Sequence, residues 1–191
     1  MQHAVFLDRD GTINFDPGYL KDPELVNLFP GVAESIKKLK DQFGFKIIVI
    51  SNQAGIAYGM MTDLDVIAVN NKINSLLMEK GTSIDHFYFC PFHPDYSNEE
   101  DSKCRKPSPY MIVQASKDHG LDLNRSYMVG DKGIDVECGL NAGIKTILIT
   151  HSNDNREINS LHNQGKKPNF VAANFIDACD FIVRDYLEVN T

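Results

Sequence analysis

A chain of 191 residues with 42% hydrophobic and 24% charged side chains has the composition of one soluble globular unit. Its 26 acidic and 19 basic residues give a formal charge of −7, which leaves no broad basic surface for a nucleic acid, and its apolar runs are far below the roughly 20 residues a membrane span needs. The start, Met-Gln-His, has neither the basic nor the long apolar region of a signal peptide, so a cytoplasmic protein is expected, with no nucleic-acid or membrane partner.

Short β-rich runs alternate with helical patterns along the chain, as in a parallel sheet flanked by helices. The first strand is predicted over residues 4–7 (AVFL), and Val32, Ile36, Leu39 and Phe43 then follow helical spacing after Pro30-Gly31. A second strand over 46–50 leads to a longer helix whose apolar face is read as Leu64, Ile67, Ile73, Leu76 and Leu77. The third strand, 86–90, enters a loop insertion at about 91–104. Helices over 110–119 and 135–141 then bracket a fourth strand at 126–129, and a fifth at 145–149 precedes a weak strand near Phe170 and a helix over 176–186. The strand runs are apolar at consecutive positions, as strands covered on both faces should be. The expected architecture is α/β: a three-layer, Rossmann-like parallel sheet with helices on both faces, forming one domain over 1–191. The four cysteines, Cys90, Cys104, Cys138 and Cys179, are too few and too spread for a disulfide framework, so reduced thiols are expected.

In such a sheet, ligands collect beyond the carboxyl ends of the strands. Asp8-Arg9-Asp10-Gly11-Thr12 follows the first strand, Ser51-Asn52-Gln53 the second, and Gly130-Asp131-Lys132 the fourth, with Asp135 one turn on; Arg105-Lys106-Pro107 precedes the helix that begins near Ser108. A calcium loop starting at Asp8 fails, because Ile13 falls where glycine is needed and Tyr19 where the bidentate glutamate belongs. Neither G-x-x-x-x-G-K-[ST] nor G-x-G-x-x-G occurs, so the phosphate chemistry left visible is a carboxylate nucleophile supported by a metal, an ammonium and a hydroxyl.

DRDGT, SNQ, RKP and GDKGID, in that order, resemble the four motifs of the haloacid dehalogenase superfamily of phosphohydrolases. VFLDRDGTIN, SNQAGIAYG, CPFHP and CRKPSP make the chain similar to the branch of heptose 1,7-bisphosphate and histidinol-phosphate phosphatases, over about residues 5–149. The resemblance implies a Mg²⁺-dependent phosphomonoesterase of carbohydrate metabolism, in lipopolysaccharide or nucleotide-heptose biosynthesis. Its partner would be a small phosphorylated metabolite, most simply the C7 phosphate of a heptose 1,7-bisphosphate, with histidinol phosphate as the alternative. Asp8 would be the nucleophile, Asp10 the general acid and then base, and Ser51 and Lys106 the groups on the phosphoryl oxygens and the nucleophile. Mg²⁺ would bind Asp8, the Asp10 backbone oxygen and Asp131, while Asn52, Arg105 and Lys132 would meet the substrate. Asp135 has two readings, support for the metal or a helix cap. The acid-base role asks for an Asp10 pKa near the working pH, raised by burial and by neighbouring carboxylates.

The branch carries a structural zinc on C-x-H and C-x-C, but Phe92 and Ser102 stand at two of those positions. That leaves Cys90, Cys104 and, by a register change, His93 as a weak partial site, so Zn²⁺ is not expected at full occupancy. The 40 residues between Asp10 and Ser51 and the 54 between Ser51 and Lys106 are used up by the elements already read, so no cap domain fits, and a monomer is expected. A receiver-type signalling module shares the aspartate, hydroxyl, lysine and sheet; Asp10 argues against it, since a receiver must keep its phosphate.

Overall fold

The computed structural model describes residues 2–151 and 155–189. Its elements are β1 (Ala4–Leu7), α1 (Val32–Phe43), β2 (Lys46–Asn52), α2 (Asp63–Met78), β3 (His86–Cys90), α3 (Glu99–Ser102), α4 (Tyr110–His119), β4 (Tyr127–Gly130), α5 (Gly133–Asn141), β5 (Lys145–Ile149), α6 (Arg156–Asn163), β6 (Phe170–Ala172) and α7 (Phe175–Val189). The strands pair in parallel in the order β3-β2-β1-β4-β5-β6. Alternation within each strand sends side chains to two layers. Val5, Leu7, Ile47, Val49 and Val129 pack with α1, α2 and α7 on one face, and Ala4, Phe6, Ile48, Ile50 and Met128 pack with α4 and α5 on the other. Every residue of β1 and β4 is buried, which explains why their runs are apolar throughout.

The α2 face differs from the expected one. Its buried residues are Val66, Val69, Asn70, Ile73 and Leu77, whereas Leu64 and Ile67 are exposed. Ile73 and Leu77 are buried as expected, but in the first turns, after a capping box of Thr62 with Asp65, Val66, Val69 and Asn70 take the inner face in place of Leu64 and Ile67. Two short helices went unread: α3 spans only four residues, and α6, REINSLHN, buries Leu161 alone. Both are too short or too polar to show a period.

The expectation of reduced thiols and the partial zinc set of Cys90, His93 and Cys104 are both corrected. Cys90, at the buried end of β3, and Cys104 lie 5.5 Å apart at Cα and are joined as a disulfide, while Cys138 and Cys179 are free. The bond takes both thiolates a zinc ion would need, and His93 turns its ring to Asp95 and Tyr58 instead. Thiol titration of the unfolded, unreduced protein is therefore expected to find the two free cysteines. Elemental analysis is expected to find well under one equivalent of zinc; four reactive thiols together with stoichiometric zinc would contradict the pairing. Among the described residues no helix is long and apolar enough to cross a membrane.

Candidate active site

Strand order reverses at β1, whose neighbours β2 and β4 continue in opposite directions, and a crevice opens at the carboxyl end of that reversal. Asp8 continues β1, its N–H bonded to the Val129 carbonyl at 2.9 Å, and Asp131 follows β4. Two glycines let the carboxylates in. A Cβ on Gly11, at φ 85°, would stand 2.3 Å from Asp131 Oδ2, and one on Gly130 would stand 2.3 Å from Asp135 Oδ2.

Lys106 reaches this point from the far side. It is buried, and its Nζ donates to Asp8 Oδ1 at 2.5 Å and to the Ile50 carbonyl at 3.0 Å, with Asp135 Oδ1 at 2.6 Å. Asn52 fixes the backbone at that position: Lys106 N–H donates to Asn52 Oδ1 at 2.9 Å, and Asn52 Nδ2 donates to the Lys106 carbonyl at 3.1 Å. The amide that lines the cavity therefore also places the lysine. Asp135 takes the helix-cap reading, accepting the Lys132 N–H at the start of α5, and it pairs with Lys106 as well.

Asp8, Asp131 and Asp135 each bring a carboxylate oxygen within 4.8 Å of the other two; Lys106 pairs with Asp8 and Asp135, and the charge of Lys132 acts on all three. Burial, opposed by Lys106 and reinforced by the other two acids, pushes the Asp8 carboxyl up to about 7, and burial with Asp135 pushes Asp131 up to about 6. Lys106 moves upward as well, because Asp135 and Asp8 outweigh the cost of its burial. Asp131 Oδ1 and Ser51 Oγ are buried without a hydrogen-bond partner. An oxygen-only donor set with excess negative charge and an unmatched oxygen fits a hard divalent cation, and an unmatched hydroxyl near the end of β2 fits an anionic oxygen.

These shifts have a sign for stability. Asp8 and Asp131 titrate above the 3.8 of a free aspartate, so the folded protein holds more protons than the unfolded chain between that value and about 7. Their contribution to stability therefore falls as pH rises through that window. In the presence of a chelator, Asp8→Asn is expected to gain melting temperature relative to the parent as pH is taken from about 5 to about 7.5. A gap that narrows with rising pH would contradict the crowding of these acids.

Asp10 departs from expectation. Burial pushes its carboxyl up, but the charge of Arg9 and hydrogen bonds from Arg9, Asn14 and Gln53 outweigh it, so its pKa is lowered rather than raised. Oδ1 accepts from Arg9 Nε at 3.1 Å and Asn14 Nδ2 at 3.0 Å; Oδ2 accepts from Arg9 Nη2 at 2.8 Å and Gln53 Nε2 at 3.1 Å. The neighbouring carboxylates that were to raise it are turned toward Lys106 instead.

Asp8, Asp10, Asn52, Lys106, Lys132 and Asp135 line one cavity of about 270 Å³, together with Asp16, Tyr19, Gln53 and Ile134. Arg105 is half-buried beside that wall, near Tyr58 and Tyr19, and its Nη1 bonds the Phe92 carbonyl at 3.4 Å. Reading by motif missed Arg9, Asn14, Gln53 and Asn70. A cation between two aspartates, and an asparagine among the apolar residues of α2, were the signals.

A family model of HAD-hydrolase-like proteins matches residues 103–178. The D-glycero-D-manno-heptose-1,7-bisphosphate 7-phosphatase of Chlorobaculum tepidum is 44% identical over 168 residues, covering 83% of this chain and 84% of the relative. The D-glycero-beta-D-manno-heptose-1,7-bisphosphate 7-phosphatase of Yersinia pestis is 40% identical over 152 residues, covering 78% and 80%. Among solved structures, the D,D-heptose 1,7-bisphosphate phosphatase of B. bronchiseptica, crystallised with magnesium and phosphate, superposes with a TM-score of 0.82 at 26% identity, covering 97% of this chain and 99% of that one.

Proposed function

The chain belongs to the family of the D-glycero-D-manno-heptose-1,7-bisphosphate 7-phosphatases, within the haloacid dehalogenase-like hydrolases, and from that premise we propose that it removes the C7 phosphate of a heptose 1,7-bisphosphate through an aspartyl phosphate on Asp8. The observation that carries the reading is the buried Lys106–Asp8 pair at the end of β1, a nucleophile held in place by a charged donor, with the buried Ser51 hydroxyl near the end of the adjacent strand β2 left without a hydrogen-bond partner.

In the first half-reaction an Asp8 carboxylate oxygen attacks phosphorus, the bond from phosphorus to the sugar oxygen breaks, and Asp10 gives that oxygen its proton. In the second, Asp10 takes a proton from water, the water oxygen attacks the phosphorus of the aspartyl phosphate, and phosphate leaves with the Asp8 carboxylate restored. The donors around Asp10 favour its ionised form, so they assist the second half and oppose the first. Lys106 keeps the nucleophilic oxygen in place and offsets charge on the phosphoryl group, while Ser51 Oγ donates to one of the phosphoryl oxygens. Magnesium would be held by Asp8, Asp131 and the Asp10 carbonyl, and when bound it supplies positive charge against the phosphoryl oxygens. Lys132, on the cavity wall, meets the substrate's anionic groups.

A heptose 1,7-bisphosphate is expected to show higher kcat/KM than histidinol phosphate in a panel of phosphate esters. Arg105, near Tyr19 of the cavity wall, is the cation proposed to clamp the second phosphate, and a clamp on a non-reacting group contributes binding energy to the transition state. Arg105→Ala is then expected to lower kcat/KM for the bisphosphate by roughly 10-fold or more and for a monophosphate by less. Better turnover of histidinol phosphate by the parent enzyme would move the assignment to that substrate and leave the phosphatase reading standing.

A further inference from the structure

We propose that Asn70, on α2 and outside every motif, is a positioning residue for the reaction: its side-chain oxygen fixes the guanidinium of Arg9, and Arg9 fixes the carboxylate of Asp10. The inference rests on the reading of Asp10 as acid and base.

Arg9 is fully buried, the largest side chain in the protein to be so. Its planar group is anchored at three points. Nη1 donates to Asn70 Oδ1 at 3.0 Å, Nη2 donates to Gln53 Oε1 at 3.1 Å and to Asp10 Oδ2 at 2.8 Å, and Nε donates to both Asp10 oxygens at 3.1 Å. Gln53 closes the ring by donating its Nε2 to Asp10 Oδ2. A guanidinium is rigid and presents its donors in fixed directions, so anchoring Nη1 on α2 sets the direction in which Nε and Nη2 face Asp10.

Asn70 itself needs this explanation. It is buried on the stripe of Val66, Val69, Ile73 and Leu77, where an apolar residue would pack and an amide costs desolvation unless it is used. Removing its oxygen leaves the Nη1 side of a buried cation without that acceptor, and the guanidinium is then free to rotate toward water or another carbonyl. The donors on Asp10 move with it. An acid displaced by a fraction of an ångström from the leaving oxygen loses rate without losing substrate affinity, and that loss of alignment outweighs the easier protonation that looser donors would give Asp10.

A purely structural role for Asn70 would lower stability and leave the dependence on leaving group alone. The test is kcat/KM of Asn70→Leu, Asn70→Asp and Asp10→Asn on the heptose 1,7-bisphosphate and on p-nitrophenyl phosphate. Both report events through phosphoryl transfer to Asp8, but an alkyl leaving oxygen needs a proton whereas nitrophenolate does not. Asn70→Leu is expected to lose roughly 10- to 100-fold on the sugar phosphate and less than about 3-fold on the aryl ester. Asn70→Asp, which keeps an oxygen at the same reach, is expected to recover most of that loss. Should Asn70→Leu fail to fold, Asn70→Ser, whose hydroxyl is too short to reach Arg9, is expected to show the same selective loss. Unchanged activity on the sugar phosphate, or equal losses on both esters, would overturn the proposal while Asp10→Asn kept its own selective loss. If Asp10→Asn shows no selective loss either, the acid role of Asp10 fails and takes the proposal with it.

Discussion

Asp8→Asn is expected to leave phosphatase activity at background, a loss of roughly 10⁴-fold or more, as when an enzyme is stripped of its nucleophile. The substitution is nearly isosteric. It keeps an oxygen that can accept from Lys106 Nζ, so the buried ammonium still has Asp135 and the Ile50 carbonyl. What it removes is the carboxylate electron pair that forms the bond to phosphorus, and neither Asp131 nor Asp135 can substitute, since Asp135 is fixed on Lys106 and the Lys132 N–H. It also removes one of three crowded acids, so the variant is expected to fold and to melt no lower than the parent at neutral pH. Circular dichroism beside the rate measurement separates lost chemistry from lost fold. Wild-type turnover by a folded Asp8→Asn protein would end the covalent account.

Metal removal is expected to have an effect of similar size. Three carboxylates within 4.8 Å face a dianionic phosphoryl group with only the ammoniums of Lys106 and Lys132 to offset them. At such separations a pair of like charges repels by about 4 kcal/mol at the effective dielectric typical of sites near a protein surface, so substrate approach needs a further cation. Exhaustive chelation is expected to reduce kcat/KM to background and added Mg²⁺ to restore it. Asp131→Ala is expected to raise the Mg²⁺ concentration required for half activity or to abolish turnover, because its Oδ1 is the buried carboxylate oxygen left without a partner in the crevice, beside the ion pair of Asp135 with Lys106. Full activity after chelation would reject the metal assignment while leaving Asp8 untouched.

The sheet was legible because strands buried on both faces must be apolar at consecutive positions, and AVFL, IIVI and TILI have few other uses in a chain of this charge. The residues at the strand ends were legible for the same reason: Asp8, Ser51 and Asp131 are polar groups placed where an apolar run stops. Long-range pairing was not. Nothing in a linear pattern says that Asn52 closes on the Lys106 backbone across 54 residues, or that Arg9 folds back on Asp10 and leans on Asn70 across 61. Those contacts reversed the expected direction of the Asp10 pKa and gave Asn52, which also lines the cavity, a bond to the Lys106 backbone that no motif showed. The first half of the α2 face was misread, while Ile73 and Leu77 held, because the inner stripe contains an asparagine and the exposed side contains Leu64 and Ile67. The cysteine pair was missed because composition argues for the compartment, whereas the bond depends on where β3 and the loop before Arg105 bring two backbones together.

The central claim is that phosphate passes through a covalent bond to Asp8. Mixing the Mg²⁺-loaded enzyme with heptose 1,7-bisphosphate, quenching in acid within the first turnovers and mapping the peptides by mass spectrometry tests it directly. The account predicts the added mass of one phosphoryl group on the peptide that carries Asp8, placed on Asp8 itself after borohydride reduction of the acyl phosphate, and absent from Asp8→Asn. Asp10→Asn should carry the same group, lost more slowly after substrate is exhausted, because the base for the second half-reaction is missing. A quenched enzyme that has released heptose 1-phosphate in a burst, ahead of phosphate, and yet carries no phosphoryl group on Asp8, or carries it on another residue, would contradict the account.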